Sequence, residues 1–151
     1  MGTKTQIVFD TRDPDGLSRF WAEALHYKRQ DPPRGFASWE AALKAWKVPE
    51  EEWNLTSAIV DPDGRGPRIL FQQMDTPKPA KNRLHLDLNA SGGMAVPPET
   101  RKAQVNKEVD RLLKLGATKQ EVWDEPPRSE EEPEEYWVVL QDPEGNEFCV
   151  Q

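Results

Sequence analysis

Hydrophobic and polar positions follow the same order twice along this chain of 151 residues. In each half, an apolar run precedes a segment whose apolar residues recur at helical spacing, and further apolar runs follow. Short runs rich in alternating or β-branched residues indicate strands, whereas apolar residues three and four positions apart indicate one face of a helix. The pattern therefore predicts a strand, a helix and then more strands, repeated once.

The first half begins with a predicted strand over residues 6–11, which is rich in β-branched and aromatic residues. An aspartate–proline pair then suits the start of a helix over residues 13–25, because proline is tolerated in the first helical turn. The apolar face of this helix consists of Leu17, Phe20, Trp21, Ala24 and Leu25. A second helical pattern runs over residues 39–46 and ends before Pro49, since proline does not continue a helix.

The second half repeats this order. Residues 84–88 alternate apolar and polar side chains, which predicts a half-buried strand. A helix is predicted over residues 100–115, with Gly116 as its stop. Its apolar face consists of Val105, Val109, Leu112 and Leu113. Residues 124–135 are proline-rich and acidic, which predicts a solvated loop.

A repeated turn motif supports the duplication. It reads Asp61-Pro62-Asp63-Gly64 in the first half and Asp142-Pro143-Glu144-Gly145 in the second, each time between two apolar runs. Proline presets the turn and glycine supplies a positive φ, so each copy predicts a β-hairpin. We therefore predict an α+β fold built from duplicated βαβββ modules. The predicted domain spans residues 1–151, with module one at about residues 5–76, a linker at 77–81 and module two at about 82–151.

Composition and charge exclude two classes of partner. The net charge is −7 at pH 7 and the sequence has no basic stripe, so nucleic acid is not expected as a partner. No run of about 18 apolar residues occurs, so no membrane-spanning segment is predicted. The single cysteine, Cys149, excludes an internal disulfide and fits a reducing compartment. Since residues 1–6 are too short and polar for a secretion signal, we expect a cytoplasmic protein.

Four segments together carry a resemblance to a known superfamily. They are residues 8–14 (VFDTRDP), 68–73 (RILFQQ), 81–88 (KNRLHLDL) and 141–148 (QDPEGNEF). In this combination the chain resembles the vicinal-oxygen-chelate superfamily of glyoxalases, extradiol dioxygenases, and bleomycin- and fosfomycin-resistance proteins, and most of all its glyoxalase-like domain branch. The resemblance implies modules whose mixed sheet curls around a shared cavity, often completed by a second subunit, and hence a homodimer.

Metal-using members of that superfamily hold a divalent cation with four side chains, typically His or Gln, Glu, His and Glu. Under the resemblance, Gln6 and His85 occupy the first and third positions, and Cys149 occupies the fourth. The second position falls near residues 70–72, which include no carboxylate. Glu147 shares the strand face of Cys149 but would supply a carboxylate only in a shifted strand. Because catalytic sites usually need three protein ligands, we predict no obligatory metal cofactor, with a divalent metal as the alternative.

The tryptophans form another candidate site. Trp39, Trp46 and Trp53 are spaced seven residues apart, so the first two can share a helical face. An aromatic cavity for a planar or cationic ligand would be lined by Trp39, Trp46, Trp53, Trp21, Phe71 and Trp137. The alternative interpretation is a core stripe with a dimer contact.

His85, Asp87 and Cys149 each have two interpretations. His85 is either a hydrogen-bonded structural group or, as the resemblance implies, a residue that contacts the ligand. Asp87 either orients the imidazole or holds a substrate hydroxyl, or else caps a backbone turn. Cys149 is either a small, buried and inert strand residue, or a ligand or nucleophile with His85 as its base. The acidic run at residues 130–135 is either a solvated surface or an attractant for a cationic ligand.

The predicted ligand-binding residues are Gln6, Trp39, Trp53, Phe71, Gln72, His85, Asp87, Glu147 and Cys149, and no catalytic residue is identified. The predicted function is the binding of a small aromatic or cationic molecule in the inter-module cavity without an obligatory metal. One alternative is a metal-dependent lyase, isomerase or dioxygenase, and another is a cofactor-free enzyme with His85 or Glu147 as general base. The sequence leaves open the identity of the ligand, and whether the modules pair within one chain or across a dimer.

Overall fold

The computed structural model describes residues 3–127, 129 and 133–151, and the chain divides into two compact units. Unit one ends at Pro77, and unit two begins at Lys78. Part of the predicted acidic loop, residues 128 and 130–132, lies outside the described residues. Within the described part of the chain, no helix is long and apolar enough to cross a membrane.

Unit one is a four-stranded sheet with a long helix against one face. Its elements are β1 (Gln6–Thr11), α1 (Pro14–Leu25), β2 (Lys28–Arg29), α2 (Trp39–Ala45), β3 (Thr56–Val60) and β4 (Arg68–Gln73). The strand order is β1-β4-β3-β2, with β1 parallel to β4 and the other pairs antiparallel. A 3-10 turn at Glu50–Glu52 lies between α2 and β3.

Helix α1 begins where the sequence predicts. The carboxylate of Asp13 accepts a hydrogen bond from the backbone N–H of Gly16 at 3.1 Å, and Pro14 occupies the first turn. The helix ends at Leu25, and the capping residue His26 has a φ of +56°, which takes the chain out of the helical region. Its buried residues include Leu17, Phe20, Trp21 and Ala24, which confirms the predicted apolar face.

The core of unit one lies between α1 and one face of the sheet. Ile59, Ile69 and Phe71 point to this face, and each is at most 1% exposed. Because side chains alternate along a strand, Arg68 and Leu70 project from the opposite face of β4. That opposite face is available for a binding site.

Unit two repeats this architecture. Its elements are β5 (Asp87–Leu88), α3 (Pro98–Lys114), β6 (Thr118–Trp123), β7 (Trp137–Gln141) and β8 (Glu147–Val150), with a 3-10 turn at Gly93–Ala95. The strand order is β5-β8-β7-β6, with β5 parallel to β8 and the other pairs antiparallel. Strand order and direction match those of unit one, which confirms the α+β class and the duplicated βαβββ order.

The repeated turn motif closes the two antiparallel hairpins β3–β4 and β7–β8, as predicted. Gly64 and Gly145 have φ values of +68° and +85°, in the left-handed region that favours glycine. Asp142 is 2% exposed, and its Oδ1 accepts hydrogen bonds from the backbone N–H groups of Glu144 and Asn146 at 2.9 and 3.0 Å. The aspartate thus satisfies the turn's donors while proline and glycine set its backbone.

Two predicted details of unit two are wrong. The strand predicted over residues 84–88 is limited to Asp87–Leu88, because only these residues form ladder pairs with β8, and Leu84 is 70% exposed. Leu113, predicted on the buried face of α3, is 37% exposed. It lies beside the buried stripe that runs through Leu112, since consecutive helical residues point about 100° apart.

Strands β2 and β6 are not predicted by the hydrophobic pattern. The two residues of β2, Lys28 and Arg29, are both exposed, and every residue of β6 is exposed. Neither strand shows an alternating pattern, because neither buries a face. Both lie at sheet edges, where pairing with β3 and β7 holds them in place.

Candidate functional site

The face of the unit-one sheet opposite α1 mixes apolar side chains with one arginine. In the register of β1 and β4, Gln6 lies beside Arg68 and Val8 beside Leu70. Ala58 of β3 is the partner of Leu70 on the other side. This face therefore offers an apolar surface with a cation at its border.

A groove of about 720 Å³ lies over part of this face. The sheet contributes Ala58, Arg68 and Leu70 to its lining, and the segment between β2 and β3 contributes Trp39 and Trp53. A volume of this size accommodates a small organic molecule.

Trp39 and Trp53 reach the groove from different elements: Trp39 opens α2, and Trp53 follows the 3-10 turn. The indole N–H of Trp39 donates to the backbone oxygen of Gln30 at 2.8 Å, and that of Trp53 donates to the backbone oxygen of Val48 at 3.0 Å. Because both N–H groups are satisfied, the ring positions are set by the protein. The ring of Trp39 is 39% exposed, whereas the ammonium of Lys44 lies over the ring of Trp53, 5.7 Å from its centroid.

Trp46 does not line the groove. It follows the last residue of α2, is 52% exposed, and packs edge-on against Phe36 with ring centroids 5.7 Å apart. The seven-residue spacing thus relates three tryptophans in sequence, but the structure brings only Trp39 and Trp53 to one groove.

Arg68 carries a positive charge into the groove. Its Nε donates to the side-chain oxygen of Gln30 at 2.6 Å, and its Nη1 donates to that of Gln6 at 2.5 Å. Both acceptors are neutral amides, and no carboxylate among the described residues forms an ion pair with Arg68. The two amides therefore orient the guanidinium without cancelling its charge.

The other two groove arginines share the single carboxylate of Asp15. Arg19 Nε and Arg29 Nη2 lie 2.9 and 2.8 Å from the carboxylate oxygens of Asp15. Partial burial favours a higher pKa for Asp15, but its hydrogen bonds and charge interactions with the two guanidinium groups outweigh that effect and lower the pKa. Arg68 therefore differs from Arg19 and Arg29 in having no carboxylate partner among the described residues.

Two predicted site residues on β4 lie away from this groove. Phe71 is fully buried on the α1 side of the sheet, where it stacks on Phe9 with ring centroids 5.4 Å apart. Gln72 is exposed near the end of β4 and does not line the groove. Trp21 is likewise a core residue at 1% exposure, next to Phe9 and Phe20.

In unit two, His85, Asp87 and Cys149 form a cluster. One ligand atom from each of the three side chains lies within 4.8 Å of the others, and His85 Nε2 is 3.4 Å from Asp87 Oδ1. Asp87 and Cys149 are register partners in the parallel β5–β8 pair. Sheet pairing therefore holds the carboxylate beside the thiol.

The chemistry of Cys149 argues against a nucleophile. Burial raises the pKa of the thiol, and the neighbouring Asp87 carboxylate raises it further by charge and hydrogen bonding. The Cys149 side chain is half-buried. A raised pKa keeps the thiolate, which is the reactive form, scarce at neutral pH.

Glu147 is held by two partners of its own. Its Oε1 lies 3.0 Å from Lys78 Nζ, and its Oε2 accepts a hydrogen bond from the backbone N–H of Asn82 at 2.9 Å. Burial favours a higher pKa for Glu147, but these partners outweigh it and lower the pKa to about 2. Its carboxylate thereby links Lys78 and Asn82, at the start of unit two, to β8.

The four-ligand metal set that the resemblance implies does not fit these residues. The side-chain oxygen of Gln6 accepts a hydrogen bond from the cationic Arg68, which disfavours a metal ion at that oxygen. The second position, on β4, holds no carboxylate. We therefore derive no reaction step through a metal held by this set.

Two features of the site, Arg68 and Gln30, were missed from sequence. Arg68 begins the segment RILFQQ at residues 68–73. Its alternation with the apolar Ile69 and Phe71 could have placed it on the face opposite the core. The supporting amide of Gln30 has no sequence signal. Trp137, predicted in the aromatic cavity, lies in unit two and stacks on Trp123 with ring centroids 5.3 Å apart.

Comparison with known proteins shows a family and a fold. A family model described as a glyoxalase-like domain matches residues 6–151 of this chain. No functionally curated protein has a significantly similar sequence.

Solved structures share the fold at low sequence identity. A glyoxalase/bleomycin resistance protein/dioxygenase family enzyme from Burkholderia phytofirmans PsJN is 17% identical, with 96% of this chain and 94% of that chain covered and a TM-score of 0.56. A glyoxalase-related enzyme from Fulvimarina pelagi is 12% identical, with coverages of 99% and 87% and a TM-score of 0.58.

A third similar structure contains a metal ion and an organic ligand. It is the fosfomycin resistance protein FosX from Listeria monocytogenes, complexed with Mn(II) and 1S,2S-dihydroxypropylphosphonic acid. It is 11% identical to this chain, with 100% of this chain and 90% of that chain covered and a TM-score of 0.58. At such identities the likeness shows the fold alone.

Proposed function

The chain belongs to the glyoxalase-like domain family, and we propose that it binds a small planar molecule with an anionic group in the groove of unit one. The observation that carries the proposal is that two tryptophan rings and Arg68 line one groove. Ring surfaces favour a planar ligand, whose faces they bury. A guanidinium with neutral protein partners favours a carboxylate or a similar anion.

We place the ligand's anionic group at Arg68, although Glu40, Glu50 and Glu52 also line the groove. The sequence alone predicted an aromatic or cationic ligand, on the basis of the tryptophans and the acidic run. In the groove, however, a cation would lie near Arg68, whose charge no described carboxylate balances by an ion pair. An anionic ligand gains from the same charge, so we favour it.

Binding in this groove needs no metal. Among the groove residues, Arg68 and the tryptophans supply the proposed contacts, and none of them is a metal ligand. The Mn(II) in the fosfomycin resistance protein is a property of that protein. Treatment with EDTA should leave ligand binding in the groove unchanged.

We predict that Trp39→Ala and Trp53→Ala each weaken binding of 4-nitrobenzoate about fivefold to tenfold, because each removes one aromatic surface. The nitro group quenches tryptophan fluorescence, so titration of the protein with this planar carboxylate measures the dissociation constant. A direct calorimetric titration checks the value, since both variants also remove a reporter ring.

Trp46→Ala is the matched control, because Trp46 lies in the same segment but outside the groove. Its affinity for 4-nitrobenzoate should equal that of the parent protein. If all three variants bind equally well, the tryptophans only pack against the protein and the proposed site is wrong.

We predict that Arg68→Gln lowers the affinity for 4-nitrobenzoate about tenfold and leaves the affinity for 4-nitrobenzamide nearly unchanged. The two probes differ in charge but share the ring, so their ratio isolates the contribution of the guanidinium. Arg65→Gln, in the exposed hairpin turn, serves as the control for net charge. Preference of the parent protein for the cation 4-nitrobenzylammonium would refute an anion-binding groove.

A homodimer and a cytoplasmic location both stay predictions. Light scattering on the purified protein checks the first, and fractionation of the source cells checks the second.

A further inference from the structure

Gln30 contacts two of the groups that the proposed function uses, the ring of Trp39 and the guanidinium of Arg68. Its backbone oxygen accepts a hydrogen bond from the indole N–H of Trp39 at 2.8 Å, and its side-chain oxygen accepts one from Arg68 Nε at 2.6 Å. The residue is half-buried and itself lines the groove. Gln30 therefore connects the aromatic surface of the groove to its cation.

The sheet fixes the position of Gln30. Its backbone N–H donates to the backbone oxygen of Ala58 at 2.9 Å, which continues the pairing of β2 with β3 by one residue. Ala58 is in turn the partner of Leu70 on β4, the strand that begins with Arg68. The side chains of Gln30 and Arg68 thus meet across β3, where Ala58 contributes only a methyl group.

Gln6 supports Arg68 from outside the groove. Its side-chain oxygen accepts a hydrogen bond from Arg68 Nη1, but Gln6 does not line the groove. It lies on β1, on the other side of β4 from Gln30. The guanidinium is thus held from two sides, and a ligand in the groove meets the side of Gln30.

Resting on the binding function proposed above, we propose that Gln30 is the positioning residue that sets the charge selectivity of the groove. Its amide holds the guanidinium of Arg68 at the groove, as a carboxylate would, but leaves the positive charge for the ligand. Two exposed glutamates, Glu50 and Glu52, also line the groove. Because they add negative charge, binding of an anion depends on an Arg68 charge that no neighbouring carboxylate offsets.

Gln30→Glu tests the selectivity, because it keeps the shape and the acceptor oxygen and adds one negative charge. The affinity for 4-nitrobenzoate should fall about tenfold, whereas the affinity for 4-nitrobenzamide should change less than about twofold. The affinity for 4-nitrobenzylammonium should rise. Calorimetric titration of the full chain with each of the three probes measures these affinities.

Gln30→Met tests the positioning, since it keeps the length of the side chain but removes the acceptor oxygen. The backbone oxygen that holds Trp39 remains, so the affinity for the neutral 4-nitrobenzamide should stay within about twofold of the parent value. The affinity for 4-nitrobenzoate should fall about threefold to fivefold, because Arg68 loses one of its two orienting hydrogen bonds. In an Arg68→Gln background, Gln30→Met should not weaken 4-nitrobenzoate binding further, since the side chain acts through the guanidinium.

Gln73→Glu is the matched control for net charge. Gln73 is exposed at the end of β4 and does not line the groove, so this variant should bind all three probes like the parent protein. Far-ultraviolet circular dichroism checks that each variant folds. Loss of the fold would lower the affinity for all three probes together, a result different from the selective losses expected here.

The proposal is overturned if Gln30→Glu keeps the parent's preference for 4-nitrobenzoate over 4-nitrobenzamide, or if Gln30→Met weakens both probes equally. An equal change in Gln73→Glu would also overturn it, since net charge would then explain the effect. If Arg68→Gln lowers the anion affinity while both Gln30 variants bind like the parent protein, only the role of Gln30 is wrong. If the parent protein binds no anionic probe, the anion-binding groove itself is wrong.

Discussion

Replacing Trp21 with alanine is expected to lower the free energy of unfolding by about 3–5 kcal/mol. The indole is 1% exposed and contacts the rings of Phe9 and Phe20, each with centroids 5.4 Å from its own. Its removal loses the apolar burial of a large aromatic side chain and leaves a cavity between α1 and the sheet. The shift of the midpoint in urea unfolding, followed by far-ultraviolet circular dichroism, measures the effect.

Trp46→Ala provides the comparison on the same residue type, because Trp46 is 52% exposed. Its cost should stay below about 1 kcal/mol. Trp21→Phe keeps an aromatic ring in the cavity and should fall between the two alanine variants, which keeps the prediction measurable if Trp21→Ala fails to fold. Equal destabilisation by the two alanine variants would mean that Trp21 is not the centre of this core.

Replacing Glu147 with glutamine is expected to destabilise the protein at neutral pH by on the order of 2 kcal/mol and to remove part of its acid sensitivity. The pKa of Glu147 is lowered from 4.5 to about 2 by the Asn82 N–H group and the Lys78 ammonium, against the opposing effect of burial. A carboxyl group with a depressed pKa in the folded state stabilises that state above its unfolded pKa. This stabilisation is lost as the pH falls from about 4.5 towards 2.

Urea unfolding at a series of pH values between 7 and 3 checks this pH dependence. The difference between the parent protein and Glu147→Gln should be full at pH 7 and shrink progressively below about pH 4.5. Glu121→Gln, at an exposed position of β6, serves as the control and should change stability little at any pH. A difference that stays constant across the series would show that the charge of Glu147 is not what stabilises the fold.

For Glu147, strand alternation predicts the face on which the side chain lies but not the groups that it contacts. The sequence places Glu147 and Cys149 on one face of the last strand, and the structure agrees, since the residues between and after them, Phe148 and Val150, are both buried. Alternation alone could not show that the carboxylate already pairs with Lys78 and Asn82, because both partners are far away in sequence.

The elements that bury a face could be predicted from the sequence. Helix α1 has buried apolar residues at helical spacing, and β1 alternates exposed residues with the half-buried Ile7 and Phe9. The two hairpins were predicted because proline and glycine restrict the turn locally, whatever the rest of the chain does. Strands β2 and β6 were missed because an edge strand without a buried face leaves no apolar period.

Sequence spacing predicted some of the residues that line the groove but not all of them. Trp39 and Trp53 were predicted as ligand-binding residues, and the structure puts both at one groove. Phe71 was predicted beside them, but its position on β4 turns it to the core face. Its neighbour Arg68, on the other face of the same strand, lines the groove instead.

The sequence by itself determined the repeated order of strand, helix and hairpin, the two hairpin turns and the buried face of α1, because these depend on local backbone preference and on periodic burial. The tertiary structure alone decided which polar groups meet. Arg68 donates hydrogen bonds to two neutral amides, which do not offset its positive charge. Asp87 lies beside Cys149 in a parallel strand pair. These contacts join residues up to 62 positions apart, a separation over which no local pattern carries information about distance.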